Sequence, residues 1–101
     1  MPAVARKNGT DSIATNHGCS ATTVTDTGSS DVFSNNIGVV RSGDLTAVHT
    51  VPVGDGCPPH QVPLTSFSPT VFANNKNIGR VGDQYSGHTI TSGSPTVFAN
   101  G

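Results

Sequence analysis

The chain has 101 residues, a formal charge of −1 at pH 7 and 33% hydrophobic residues, with four Phe, one Tyr and no Trp. That length allows a single domain (1–101) at most, with a core so thin that a disulfide, a metal or a partner is needed as a staple. The five Lys and Arg residues are scattered, so nucleic acid has no basic stripe to meet, and no apolar run approaches the roughly 20 residues that span a bilayer.

The N-terminus carries no apolar signal-peptide core, which predicts no export by the ordinary secretory route. It opens instead on Val4-Ala5-Arg6-Lys7-Asn8-Gly9-Thr10-Asp11, a phrase that returns as Val39-Val40-Arg41-Ser42-Gly43-Asp44 and Gly79-Arg80-Val81-Gly82-Asp83. The β-branched run Thr22-Thr23-Val24-Thr25 predicts a strand. A second phrase comes next: Ser29-Ser30-Asp31-Val32-Phe33-Ser34-Asn35-Asn36. It recurs as Ser-Pro-Thr-Val-Phe-Ala-Asn-Asn at 68–75 and Ser-Pro-Thr-Val-Phe-Ala-Asn-Gly at 94–101. The spacing from Phe33 to Arg41 equals that from Phe72 to Arg80, eight residues in each case. A fixed distance between two motifs predicts one structural unit built three times, over 6–40, 41–79 and 80–101.

The third unit is a half. The opening Val-Ala-Arg would complete it, so the two ends of the chain are expected to form one element and close a roughly threefold arrangement, which removes sheet edges. Within the units, Asn-Asn and Asn-Gly tolerate the left-handed backbone of tight hairpins. Ile78-Gly79-Arg80-Val81 is the expected return strand of the second unit, and Gly43-Asp44 and Gly82-Asp83 open loops. Thr89-Ile90-Thr91 predicts another strand, as does Thr96-Val97-Phe98-Ala99, entered by Ser94-Pro95 and left by Asn100-Gly101. One member of each Val-Phe pair should face the core, since neighbours on a strand point to opposite faces. No stretch keeps a helical period. The predicted fold is all-β, in short hairpins.

Every histidine lies in the stretch after one of the three Asp residues. His17 is six residues after Asp11, His49 five after Asp44 and His88 five after Asp83. Three loops in equivalent positions thus deliver one imidazole each, able to converge. His60 ends an insertion found only in the second unit, Gly54-Asp55-Gly56-Cys57-Pro58-Pro59-His60, whose prolines would stiffen its approach. Three donors plus one match the four-coordinate shell of structural zinc. The expected ligands are His17, His49, His60 and His88, with Cys57, three residues before His60, as an alternative to one His. Cys19 and Cys57 otherwise read as small buried residues. Their thiols stay reduced in a cytoplasm, and a disulfide between them requires a mature protein outside the cell.

Taken together, the Ser-Pro-Thr-Val-Phe-Ala-Asn-Gly phrase, the Arg-Val-Gly-Asp and the His after each Asp resemble the PAAR-repeat proteins. The phrase that names that family is met by Pro2-Ala3-Val4-Ala5-Arg6, and in degenerate form by Gly38-Val39-Val40-Arg41 and Asn77-Ile78-Gly79-Arg80. Unit one departs from the pattern: its Arg-to-Asp stretch is longer, and Ser30-Asp31 stands where the other copies have Pro-Thr. The resemblance implies a small β-structured cone with pseudo-threefold repeats and a zinc ion at its apex. One such cone would sit on each trimeric β-helical spike, at a contractile phage tail tip or a type VI secretion spike. It implies a non-enzymatic, mechanical part that meets a host membrane transiently and binds no nucleic acid. The expected place is the virion tail tip, or the bacterial cytoplasm followed by export on a spike. Family members usually have a Cys in the ligand set, which keeps Cys57 in play.

Three other readings compete. A zinc-dependent hydrolase would need an open metal position and an acid or base beside it, and Asp55 is the sole acidic residue of the His60 insertion. An adaptor on a secretion spike would carry cargo non-covalently, since the chain stops at Asn100-Gly101. A small extracellular domain would be stapled by a Cys19–Cys57 disulfide.

Overall fold

A computed structural model describes residues 2–99. Ten short strands succeed one another in the described residues: β1 Ser12–Ala14, β2 Thr22–Val24, β3 Phe33–Ser34, β4 Ile37–Gly38, β5 His49–Thr50, β6 Pro59–His60, β7 Phe72–Ala73, β8 Lys76–Asn77, β9 Gln84–Tyr85 and β10 His88–Ile90. There is no helix among these residues, and the fold class is all-β, as expected. The strands pair antiparallel in a four-stranded sheet, β2-β1-β10-β9, and three two-stranded hairpins, β3-β4, β5-β6 and β7-β8. The body is 41 Å long and 23 Å across in both other directions.

Asparagine decides where the chain reverses. Asn35 and Asn36 have φ of 54° and 65°, and Asn74 and Asn75 have 54° and 64°. Two successive left-handed residues form the turn whose twist matches a hairpin, and Asn adopts that backbone at lower cost than other side-chain-bearing residues. The side chains are used as well. Asn35 Oδ1 accepts from Ser94 Oγ (2.6 Å) and Arg6 Nη1 (3.3 Å), and Asn74 Oδ1 accepts from Ser29 Oγ (2.7 Å) and Arg41 Nη1 (3.1 Å). Each turn is thereby tied to another part of the chain. Asp31, the residue that breaks the Pro-Thr pattern, accepts from Asn74 Nδ2 at 2.6 Å.

Because the Asn turns hold only two residues, the return strand starts at once. It is β8, Lys76–Asn77, and not the expected 78–81. Ile78 and Arg80 pair instead with distant partners, in single bridges to Arg41 and Val4. Phe98 likewise makes a single bridge, to Ala3, in place of a strand over 96–99. The segments near the two ends do run side by side: Val4 N donates to Val97 O and Ala99 N to Pro2 O, both at 3.0 Å. The Asn100-Gly101 turn lies outside the described residues.

Three backbone hydrogen bonds close a cycle between these segments. Ala5 N donates to Gly79 O (3.0 Å), Gly79 N to Val40 O (2.8 Å) and Val40 N to Ala5 O (3.0 Å). Around it lies a small apolar core of Ala5, Ile13, Val40, Leu64, Tyr85 and Ile90, beside a second group of Val4, Val39, Ala73, Ile78 and Ala99. In the Val-Phe pairs only Val71 packs on the core. The inward positions are the residues after each Phe, namely Ser34, Ala73 and Ala99, while Phe33, Phe72 and Phe98 remain 56%, 56% and 48% exposed. The one Tyr of the chain is fully buried, and burial pushes its hydroxyl pKa up, with Asp44 and Asp11 adding to the effect.

An ion pair sits at the same point of each repeated phrase: Arg6–Asp11 at 2.9 Å, Arg41–Asp44 at 2.9 Å and Arg80–Asp83 at 2.8 Å. Each carboxylate also accepts the backbone N–H of its own Arg, at 2.7, 2.8 and 2.9 Å. The hydrogen bond to Asp is the first reason each guanidinium pKa is raised. In units two and three the loop between Arg and Asp turns on Gly43 and Gly82, with φ of 83° and 92°. The longer unit one reaches the same pairing by putting Asn8 and Gly9 at 60° and 75°. Such pairs are worth little against an apolar substitute, but losing one partner strands the other charge. Asp11 is fully buried and accepts from Arg6 through both oxygens and from Ser92 Oγ. Asp11→Ala is therefore expected to cost about 3–5 kcal/mol, measured by denaturant unfolding against the wild type; a loss under about 1 kcal/mol would contradict this account.

Candidate metal centre

The four histidines reach one point from three directions. His17 sits in the loop after β1, where Asn16 and Cys19 take φ of 62° and 69° and the Thr15 hydroxyl bonds the Ser20 carbonyl. Asn16 Nδ2 donates to Gly87 O at 2.7 Å, which ties this loop to the β9-β10 turn. That turn, left-handed at Ser86 and Gly87, presents His88 as the first residue of β10. His49 opens β5 and His60 closes β6, and the two are direct cross-strand partners. Opposed residues in a hairpin stand on the same face, so the register alone brings these two imidazoles together.

The ligand atoms converge. His88 Nε2 lies 3.0 Å from His17 Nε2, 3.1 Å from His49 Nε2 and 3.0 Å from His60 Nε2. One nitrogen from each of the four residues lies within 4.8 Å of the others, a group able to hold a metal ion. His49 and His88 are buried, while His17 and His60 are partly exposed.

Hydrogen bonding sets the tautomers of two of the rings. His17 Nδ1 is 2.8 Å from Gly18 O and His49 Nδ1 is 2.9 Å from Ala47 O. A carbonyl only accepts, so Nδ1 carries the proton in both, and the Nε2 of each neutral ring is a bare lone pair. Those lone pairs meet His88 Nε2, which can donate to no more than one of them. Internal hydrogen bonds therefore cannot satisfy the set; a shared cation can. With Zn–N bonds of about 2.0–2.1 Å, the edge of a tetrahedron of four nitrogens is roughly 3.3–3.4 Å, close to the contacts made by His88. The backbone carbonyls on Nδ1 are the partners that orient metal-binding imidazoles. An all-imidazole set without carboxylates suits zinc, copper or nickel better than calcium or magnesium.

The sulfur alternative is removed. Cys57 is joined to Cys19 in a disulfide with a Cα–Cα distance of 6.0 Å, so it offers no thiolate. Neither cysteine is the small buried residue expected from the sequence, for both are exposed. The hydrogen bond between Ser20 Oγ and Thr50 Oγ1, at 2.6 Å, holds the two loops at this separation, which lies in the usual range for a disulfide. Asp55, the candidate acid or base of a hydrolase, is exposed and outside the histidine group.

No protein-family model matches this sequence, and no curated protein is significantly similar to it. The site is therefore read from its own chemistry.

Burial lowers the pKa of His60 and of His88 below 6.5, and the charges of His17 and His49 push both down further. For His88 the repulsion of His60 adds to this, against an opposing Ser86 backbone interaction. In the unfolded chain both return to about 6.5. As pH falls through that value the unfolded chain binds protons that the folded chain refuses, so the stability present above it is lost toward acid. Protons also displace any metal from imidazole, with the same sign. The melting temperature in the presence of a chelator should fall steadily from about pH 7.5 to about pH 5; a flat profile would show that these rings do not couple to folding.

Proposed function

We propose that this chain is the tip of a trimeric β-helical spike, in a contractile phage tail or a related injection machine, like the PAAR-repeat proteins its sequence resembles. The observation that carries the reading is the exposure of Phe33, Phe72 and Phe98, at 56%, 56% and 48%, beside Val32 and Val97 at 38% each. One chain thus offers an exposed Phe at three places, with an exposed Val beside it at two of them, and large exposed apolar residues mark an interaction surface. A trimer offers three matching places in return. Each Phe, already about half buried, contributes about 1–1.5 kcal/mol on docking before ordering costs.

The thrice-repeated ion pair and the cycle through Ala5, Val40 and Gly79 support a pseudo-threefold arrangement. The 41 by 23 by 23 Å extents suit an object that tapers to a point. In this reading the Phe turns form the broad base, and the metal, zinc, sits at the apex. Four nitrogens make a closed structural shell with no position left for a water nucleophile, which favours a mechanical part over a hydrolase. No residue of 47–61 belongs to the buried apolar core, so metal binding energy there becomes folding energy. The exposed disulfide fits a working place outside a reducing cytoplasm, which favours the virion tail tip. That place suits a spike tip and a small extracellular domain alike; the repeated Phe surface favours the former. The stiff point is proposed to focus force on a host membrane.

Two measurements test this. Protein purified without added metal should hold about one zinc per chain, and absorption at the zinc edge should show four nitrogen neighbours and no sulfur; a coordinated water would revive the hydrolase. Mixed with the trimeric spike of the same machine, one chain should bind per trimer in light scattering. The triple change Phe33→Ser, Phe72→Ser and Phe98→Ser should weaken that binding at least about 100-fold without unfolding the chain. Unchanged affinity would remove the Phe surface from the interface.

A further inference from the structure

Besides hydrogen bonds between Ser20 and Thr50, two links join the His17 loop to the hairpin that carries His49 and His60. One is the nitrogen cluster itself. The other is the Cys19–Cys57 bond, whose cysteines lie two residues beyond His17 and three before His60. Little else holds that hairpin. The segment 47–61 supplies nothing to the buried apolar core. Its polar ties lie at its two ends and at Thr50: Ser20 Oγ to Thr50 Oγ1 at 2.6 Å, Thr50 N to Ser20 Oγ at 3.1 Å, Ala47 N to Val24 O at 2.9 Å, Thr46 Oγ1 and Thr23 Oγ1 to Ala47 O at 3.0 and 3.4 Å, and Gln61 Nε2 to Thr46 O and Asp26 Oδ2 at 2.8 and 3.5 Å. His88 is anchored quite differently, in the middle of the four-stranded sheet, with Asn16 bound to Gly87 beside it. If any part of the ligand set swings away, it is the β5-β6 hairpin, with two of the four donors.

We propose that the Cys19–Cys57 disulfide is a redox-operated lock on the bound metal. This rests on reading the four histidines as a metal site. A multidentate site loses its ion only when donors leave and stay away. With the disulfide closed, a departed His60 stays within about 10 Å, the reach of the three residues from Cys57, its strand partner His49 stays with it, and both rebind at high effective concentration. With it open, the hairpin can swing out and the ion exchanges. Opening needs a dithiol reductant. The S–S bond breaks, two S–H bonds form, and the reductant gives up two electrons and two protons as it becomes a disulfide. Closing is the reverse exchange with a disulfide oxidant. Both cysteines are exposed, so either reagent has access. The chain would take up its metal in a reducing compartment, where the lock is open. It would retain the metal once oxidised outside.

The test is the rate at which zinc-loaded protein surrenders its ion to excess chromophoric chelator. Three proteins are compared: the oxidised wild type, the double variant Cys19→Ser with Cys57→Ser, and Ser20→Ala, which loosens the same junction and keeps the disulfide. The double variant is expected to bind one zinc and to release it at least about 10-fold faster, the scale of lost support around metal ligands. Ser20→Ala should stay within about threefold of the wild type. Equal release from the wild type and the double variant overturns the lock and leaves the metal site intact. Equal acceleration by Ser20→Ala also overturns it, since the effect would then be general loosening. Absence of zinc from the wild type refutes the site and the lock with it. If the double variant takes up no zinc, loaded wild type is treated with an immobilised dithiol, which is removed before the assay. Faster release upholds the lock and an unchanged rate overturns it.

Discussion

Each Arg–Asp pair clamps the chain where it leaves the apolar layer for a histidine-bearing segment. Asp11, Asp44 and Asp83 each take a guanidinium and the backbone N–H of the same Arg. The loop between the two residues is thereby closed, and its direction of exit is set. A protein with eleven buried apolar residues among those described cannot set that direction by side-chain packing alone. Polar closure does it, and the cost of desolvating three ion pairs is met by hydrogen bonds that leave the carboxylates well satisfied. The segment after each Asp inherits the geometry: β1 and then His17 after the first, His49 after the second, β9 and then His88 after the third.

The parts legible from the sequence were those governed by local chemistry. Asn-Asn announces its own turn, since the preference for a left-handed backbone belongs to the residue and needs no partner. The convergence of His17, His49 and His88 was readable from their register after the three Asp residues, because a repeated spacing carries three-dimensional information. His60 was placed in the set by counting donors. The reason it arrives is its cross-strand register with His49; Gly54-Asp55-Gly56 marks a turn, but the polar, proline-rich flanks do not specify which residues face each other across it. The strand at 78–81 was misplaced for a related cause. Ile78 and Arg80 do pair, but with Arg41 and Val4, and partners so far away in sequence leave no local trace. The disulfide depends on the approach of two loops, and a pair of cysteines does not report that distance. Tyr85 leaves no trace in the sequence because a single aromatic residue makes no pattern, although it is the largest fully buried side chain among the described residues.

Along each segment the means of holding the chain change in order. The Val and Ala residues around the backbone cycle pack apolar surface, the ion pairs come next, and the histidines come last. Removing water from apolar area stabilises the first layer roughly in proportion to area. The last layer has almost no such area and relies on discrete bonds: one disulfide and the imidazole cluster. The apolar core and the histidine group should therefore respond to different conditions. Temperature and denaturant act on the first, while acid, chelator and reductant act on the second.

Writing three related units into one polypeptide has a consequence for the donor count. An assembly of three identical chains offers ligands in multiples of three, so a symmetric centre can hold three or six imidazoles but never four. Here one unit alone has the insertion that ends at His60, and the fourth nitrogen comes from it. Within one polypeptide a change confined to one unit suffices to reach a coordination number that three identical chains cannot supply.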